Sequence, residues 1–140
     1  MQQVIVDTGP LVALLDRQDQ HHDWVRSQIK NISPPLLSCE AVIVETCFLL
    51  SKHDPSQIQR IFNALNTGFL EIPFALNNES LLINEFLKKY ADVPMSLADA
   101  CLVRMSELYP QALVFTLDSD FHIYRKNRNE TIPCLIPLDR

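Results

Sequence analysis

At 140 residues, with 47 % hydrophobic side chains and only two glycines, the chain is expected to fold as one domain spanning residues 1–140, and a disordered class is excluded. Its net charge of −5 argues against a broad, passive nucleic-acid-binding surface, yet suits an acidic site that meets phosphates through divalent cations. No apolar run approaches the ~20 residues that cross a bilayer, and Met1-Gln2-Gln3 lacks the positive charge of a secretion signal. The expectation is therefore a cytoplasmic protein without membrane attachment.

Val4-Ile5-Val6 reads as a short strand buried on both faces. It ends in Asp7-Thr8-Gly9-Pro10, after which Leu11–Leu15 resumes as a helix. Pro10 has no N–H to lose and suits the first helical position. Two readings of Asp7 stand: a cap for that helix, or a functional carboxylate at the carboxyl edge of a central strand, where open α/β sheets bind ligands.

Asp16–Gln20 is a polar loop, and a helix follows over 21–31 until Ser33-Pro34-Pro35 stops it. Leu36-Leu37 is a short strand. Ser38 is placed to cap a helix over 39–52. In that helix Val42, Glu45 and Leu49 share one face, with Ala41, Val44 and Phe48 beside it. An acid within an apolar stripe is costly unless it is paired or bound to a metal. The alternative is a Glu at the stripe's margin, reaching solvent.

A helix over 55–66, with Ile58, Ile61, Phe62 and Leu65 inward, ends at Thr67-Gly68. Phe69–Pro73 is a strand candidate, and the next helix spans 78–90 with Leu81, Leu82, Ile83, Phe86 and Leu87 on its apolar side. Ser96-Leu97-Ala98-Asp99 has the spacing of a capping box opening a helix to Leu108. Taken alone, the box accounts for Asp99, although the small Ala98 and Ala100 leave room for a second role.

Ala112–Phe115 is a fourth strand, and it too runs out into a carboxylate, in Thr116-Leu117-Asp118-Ser119-Asp120-Phe121. Asp118 is placed to cap a short helix, with Asp120 in its first turn. Arg125-Lys126-Asn127-Arg128 is the one basic run and reads as a solvated face within reach of phosphate. Cys134–Ile136 is a last strand. The four cysteines and four histidines show no metal-ligand spacing, so the cysteines read as buried thiols.

Alternating strands and helices predict a mostly parallel sheet covered on both faces. Asp7 and Asp118 end strands, and Glu45 and Asp99 lie in the N-terminal halves of helices. All four converge on one edge if the sheet is parallel. Clustered carboxylates raise one another's pKa values, and a hard divalent cation such as Mg²⁺ or Mn²⁺ relieves the repulsion.

Ile5-Val6-Asp7-Thr8, Glu45, Ser96–Ala100 and Thr116–Phe121, in this order and spacing, together resemble the PIN-domain family. In size the chain resembles that family's single-domain VapC-type toxins. The resemblance implies a three-layer α/β/α sandwich with a mostly parallel sheet of about five strands. It also implies hydrolysis of single-stranded RNA by metal-activated water, with Mg²⁺ or Mn²⁺ as cofactor and no covalent intermediate. Asp7, Glu45, Asp99 and Asp118 would be the catalytic, metal-holding acids. Thr8 and Thr116 would steady them, and Asp120 would support or share the role of Asp118. A homodimer and a protein antitoxin are the implied partners.

One alternative is a catalytically silent scaffold of the same fold that binds RNA or protein. Another is a phospho-acceptor domain using Asp7 as nucleophile, but no Lys closely follows Phe115 or Ile136 to hold the phosphoryl group. P-loop and dinucleotide sites are excluded because their glycine motifs are absent.

Overall fold

Val4–Val6 (β1) has no solvent exposure at any of its three residues, because it lies at the centre of a sheet. The computed structural model describes residues 1–138. In it β1 is flanked by Leu36–Leu37 (β2) on one side and Leu113–Phe115 (β4) on the other. Leu70–Glu71 (β3) extends the sheet beyond β2, and Cys134–Leu135 (β7) extends it beyond β4. The order is β3-β2-β1-β4-β7, and all four pairings are parallel. Ile5 pairs with Leu37 and Val114, so apolar residues run through the sheet's middle.

Parallel strands need crossovers; a 3-10 turn and a short hairpin carry the chain from β4 to β7, and the other three crossovers are supplied by helices. They are α1 (Thr8–Leu15), α2 (His22–Ile29), α3 (Glu40–Ser51), α4 (Ile58–Thr67), α5 (Leu76–Lys89) and α6 (Leu97–Leu108). They flank the sheet as a three-layer α/β/α sandwich, as expected. Gly68, at φ +81°, ends α4 in the left-handed region that glycine adopts without strain. No helix of the described residues is long and apolar enough to cross a membrane.

The strand order decides where a ligand can enter. The chain winds outward through β2 and β3, then returns to the opposite side of β1 at β4. That reversal opens a crevice at the carboxyl ends of β1 and β4, the position at which open α/β sheets bind ligands.

Several local expectations are corrected. The first helix starts at Thr8, which makes Pro10 its third residue; the missing N–H still costs nothing in a first turn. Cys39, without a side-chain bond, occupies the cap position of α3. The Ser38 hydroxyl instead donates to the Val6 carbonyl at 2.9 Å, tying β2 to β1. Val44 and Phe48 are 69 % and 58 % exposed, so α3 buries Val42, Ile43, Thr46 and Leu50 instead. Phe62 on α4 and Leu81 and Leu82 on α5 are likewise exposed rather than inward.

The basic run is a solvated face only at Asn127 and Arg128, which are exposed. Arg125–Lys126 (β5) pairs antiparallel with Glu130–Thr131 (β6) in a hairpin that no Asn-Gly or Asp-Gly signal announced. Asn127 and Arg128 make its turn with positive φ. Lys126 is buried. The Arg125 guanidinium donates to the carbonyls of His122, Ile123 and Tyr124 at 2.8–3.2 Å. Of the cysteines, Cys39 and Cys101 are buried while Cys47 and Cys134 are half-buried, and all four are free.

Candidate active site

Asp7 follows β1 directly, and its amide donates to the Phe115 carbonyl at 2.9 Å, which continues the ladder to β4. The residue is 7 % exposed. One carboxylate oxygen accepts from the Thr8 amide and the other from the Thr116 hydroxyl, both at 2.7 Å. Thr116 Oγ1 in turn accepts from the Asp118 amide at 3.0 Å. One hydroxyl thus sets the distance between the two strand ends.

Asp118 opens the short 3-10 turn Ser119–His122, where its Oδ1 accepts from the Asp120 amide at 2.9 Å. The expected cap is present, and the second Asp118 oxygen has no partner in that turn. Across the crevice the Ser96 hydroxyl accepts from the Asp99 amide at 3.0 Å, which supplies the N-cap half of the expected capping box at the start of α6. The Asp99 carboxylate also meets the segment after the Ser119–His122 turn, where Oδ2 accepts from the Tyr124 hydroxyl at 2.8 Å. The cap at Ser96 therefore leaves the Asp99 carboxylate available to a second partner. Tyr124 is buried and held edge-on between Tyr90 and Phe121, with ring centroids 5.1 and 5.2 Å away. Its part in orienting Asp99 was not legible in the sequence, since the two residues are 25 positions apart.

Glu45 reaches the same region from α3. Its Oε1 accepts from the Thr8 hydroxyl at 2.8 Å, and the residue is exposed. The marginal placement therefore replaces the buried one. Asp7, Thr8, Glu45, Asp99, Asp118 and Asp120 all line one open cleft of about 690 Å³. Asp19, in the polar loop after α1, lines it as well while accepting from the His21 amide at 2.8 Å. A polar loop carries no periodicity that would have marked it. Gly9 also borders the cleft, and a Cβ there would press Leu117 at 3.2 Å.

Burial pushes the Asp7 carboxyl from 3.8 up to about 6, against the stabilising bonds from Thr116 and Thr8, and the negative charges of Asp99 and Asp118 add to the rise. Asp99 is raised for the same leading reason, opposed by Tyr124 and raised further by Asp118. Burial, with the Asp99 bond second, holds the Tyr124 hydroxyl protonated well above its usual range. Among the described residues both ion pairs are made by Arg104, with Glu79 and Glu107. Among those residues no cation balances the cleft's acids.

The donor set is entirely carboxylate and hydroxyl oxygen, which matches Mg²⁺ or Mn²⁺ rather than a softer ion. Among the described residues no three His, Cys, Asp or Glu side chains stand close enough to enclose an ion by themselves. The fit is to a hydrated hard cation, which keeps several waters and takes one or two carboxylates directly.

A parallel α/β sheet whose switch point gathers uncompensated carboxylates defines a class of proteins suited to divalent cations and phosphate esters. The family model described as PIN domain matches residues 4–127, and the chain belongs to that family. Among solved structures it is similar to VapC20 of Mycobacterium tuberculosis, a sarcin–ricin loop cleaving toxin. The TM-score is 0.72 at 18 % identity, over 84 % of this chain and 92 % of that one. That likeness is one of fold. No curated protein matches.

Proposed function

We propose that this protein is a metal-dependent endoribonuclease that cleaves single-stranded RNA, the toxin of a toxin–antitoxin pair. The observation that carries the reading is the convergence of Asp7, Asp99 and Asp118 on one cleft, where their charges act on one another without a counter-ion among the described residues. Membership of the PIN domain family supports it, as does a fold shared with a sarcin–ricin loop cleaving toxin.

In this reading Asp7, Asp99, Asp118 and Glu45 hold Mg²⁺ or Mn²⁺, directly or through water. A divalent cation bound there supplies charge neutralisation of the phosphodiester and activation of water. The chain's own residues keep the acids in place. Thr116 holds Asp7 and the Asp118 backbone, Thr8 holds Glu45, and Tyr124 holds Asp99. Glu45 is exposed, so its free oxygen is placed to orient the attacking water. Asp120 steadies Asp118 through its amide. No Ser, Cys or His nucleophile is required, and Cys101 is buried.

The partners in this reading are single-stranded RNA, a second copy of the chain and a protein antitoxin. An antitoxin Arg entering the acidic cleft would compete with metal through charge-assisted hydrogen bonds. Cleavage of a mixed single-stranded RNA pool in Mg²⁺ or Mn²⁺ tests the reading. Wild type should cut, and chelator or Asp99→Asn should abolish cutting. Equal cutting by both proteins would remove Asp99 from the site. No cutting by wild type would favour the silent scaffold.

A further inference from the structure

With Arg125 and Lys126 committed to the fold, uncompensated positive charge lies at the far end of α1. Arg17 from the loop after α1, Arg26 from α2 and Arg60 from α4 line one pocket of about 200 Å³ with Leu14, Leu15 and His22. No carboxylate lines it. Among the described residues none of the three guanidinia is paired with an acid, and Arg60 bonds the Gln57 side-chain oxygen at 3.3 Å. In a chain with 12 Lys and Arg against 17 Asp and Glu, three unpaired arginines at one pocket oppose the average charge. Their mutual repulsion is relieved by an anion, and the guanidinium fork matches phosphate.

Arg17 and Arg60 also line the adjoining cleft of about 540 Å³, as does His53. Asp16 and Asp54 share that cleft and keep their charge, but among the described residues neither pairs with an arginine: Asp54 accepts from Ser56 and Gln57, and Asp16 accepts from the Gln18 amide. Helix α1 connects this pocket to the acidic cleft. Thr8 at its first residue borders the acids, and Leu14 and Leu15 at its end border the arginines. That length of helix spans about 10 Å, a few nucleotides of single strand.

We propose that Arg17, Arg26 and Arg60 form a phosphate subsite that grips the RNA backbone a few nucleotides from the scissile position. This rests on the ribonuclease reading. It explains how an acidic protein holds a polyanion: one end of α1 presents carboxylates to the reacting phosphate, and the other presents guanidinia to a phosphate a few nucleotides along the strand. The small pocket and its charge favour a backbone phosphate over an acidic protein segment.

The test reads binding without metal. A labelled single-stranded RNA oligonucleotide is titrated in EDTA by fluorescence anisotropy. Wild type is compared with the triple variant Arg17→Gln, Arg26→Gln, Arg60→Gln and with Lys88→Gln, an exposed lysine on α5. All three arginines are exposed, so the triple variant should keep its fold and Tm. Its affinity should fall at least about tenfold, and the salt dependence should become shallower by about 0.7 for each phosphate the variant no longer neutralises. Lys88→Gln should leave both near wild type. Unchanged affinity and slope in the triple variant would overturn the subsite, as would wild type failing to bind RNA. Loss of poly-glutamate binding with RNA affinity intact would assign the pocket to an acidic protein segment and overturn it too. Wild type that binds through these arginines but cuts nothing in Mn²⁺ would overturn the nuclease reading alone.

Discussion

The Thr116 hydroxyl donates to Asp7 Oδ2 at 2.7 Å and accepts from the Asp118 amide at 3.0 Å, so one side chain joins the ends of β1 and β4 across 109 positions of sequence. Thr116 is fully buried. Thr116→Val keeps the shape, removes both bonds and leaves a buried carboxylate oxygen and an amide unpaired. We expect a loss of about 1–3 kcal/mol in urea denaturation, together with reduced cleavage. The conservative Thr116→Ser should retain most of both.

Asp7 couples stability to pH. Its carboxyl is raised from 3.8 to about 6 in the folded protein, so the native state binds the proton more tightly than the unfolded chain. That contribution is fully present below pH 3.8 and is lost as pH rises through about 6. The rise corresponds to about 3 kcal/mol. Asp7→Asn removes the buried charge, so the variant should gain on wild type as pH increases, approaching about 3 kcal/mol at about pH 8 and vanishing near about pH 4. It should also be inactive. Thermal unfolding across pH checks the sign: an advantage that grows toward low pH would contradict it.

Metal should act on the same charge. Adding Mg²⁺ or Mn²⁺ at about pH 8 should raise the Tm of wild type, because an ion that binds only the folded state stabilises by mass action. Asp7→Asn, and more so Asp99→Asn with Asp118→Asn, should blunt the rise. Equal rises in all of these proteins would place the ion elsewhere.

Tyr124→Phe removes one hydroxyl and leaves the aromatic cluster with Tyr90 and Phe121 in place. Asp99 then loses its bond at Oδ2. Groups that orient metal-holding residues are worth about 10–100-fold in affinity or activity. The variant should therefore stay folded and bind Mn²⁺ about tenfold more weakly or worse in calorimetric titration. A purely structural Tyr124 would lower Tm without changing the titration.

Substitutions separate this chemistry from nucleophilic catalysis. Asp118→Asn and Glu45→Gln should each lower cleavage by at least about a hundredfold, at constant fold, if they hold the ion. Cys101→Ala and His122→Ala should cleave near the wild-type rate. Loss of cleavage in either of the last two, with the fold intact, would require a covalent or general-base scheme instead.

What the sequence determined by itself was local and repetitive. Val4–Val6 and Leu113–Phe115 are recognisable as strands because β-branched residues fill the first and Val114 and Phe115 follow Leu113 in the second. Ser96, Asp118 and Gly68 mark helix ends through chemistry confined to a few neighbouring residues. The acids Asp7, Glu45, Asp99 and Asp118 stood out as carboxylates at strand ends or beside apolar helix faces. What only the tertiary structure decided was pairing across distance. Strand order places β4 beside β1 and so creates the crevice. Tyr124 on Asp99, Thr116 on Asp7 and Ser38 on Val6 are bonds between residues 25, 109 and 32 positions apart. Nor did apolar periodicity decide burial for Val44, Phe48 and Leu81, because a helix in a sandwich buries only the stripe its neighbours cover. The run Arg125–Arg128 looked like surface charge, yet hairpin pairing and three backbone carbonyls consume its first members. The three arginines that share one pocket come from a loop and two helices, an assembly that only the folded chain brings about.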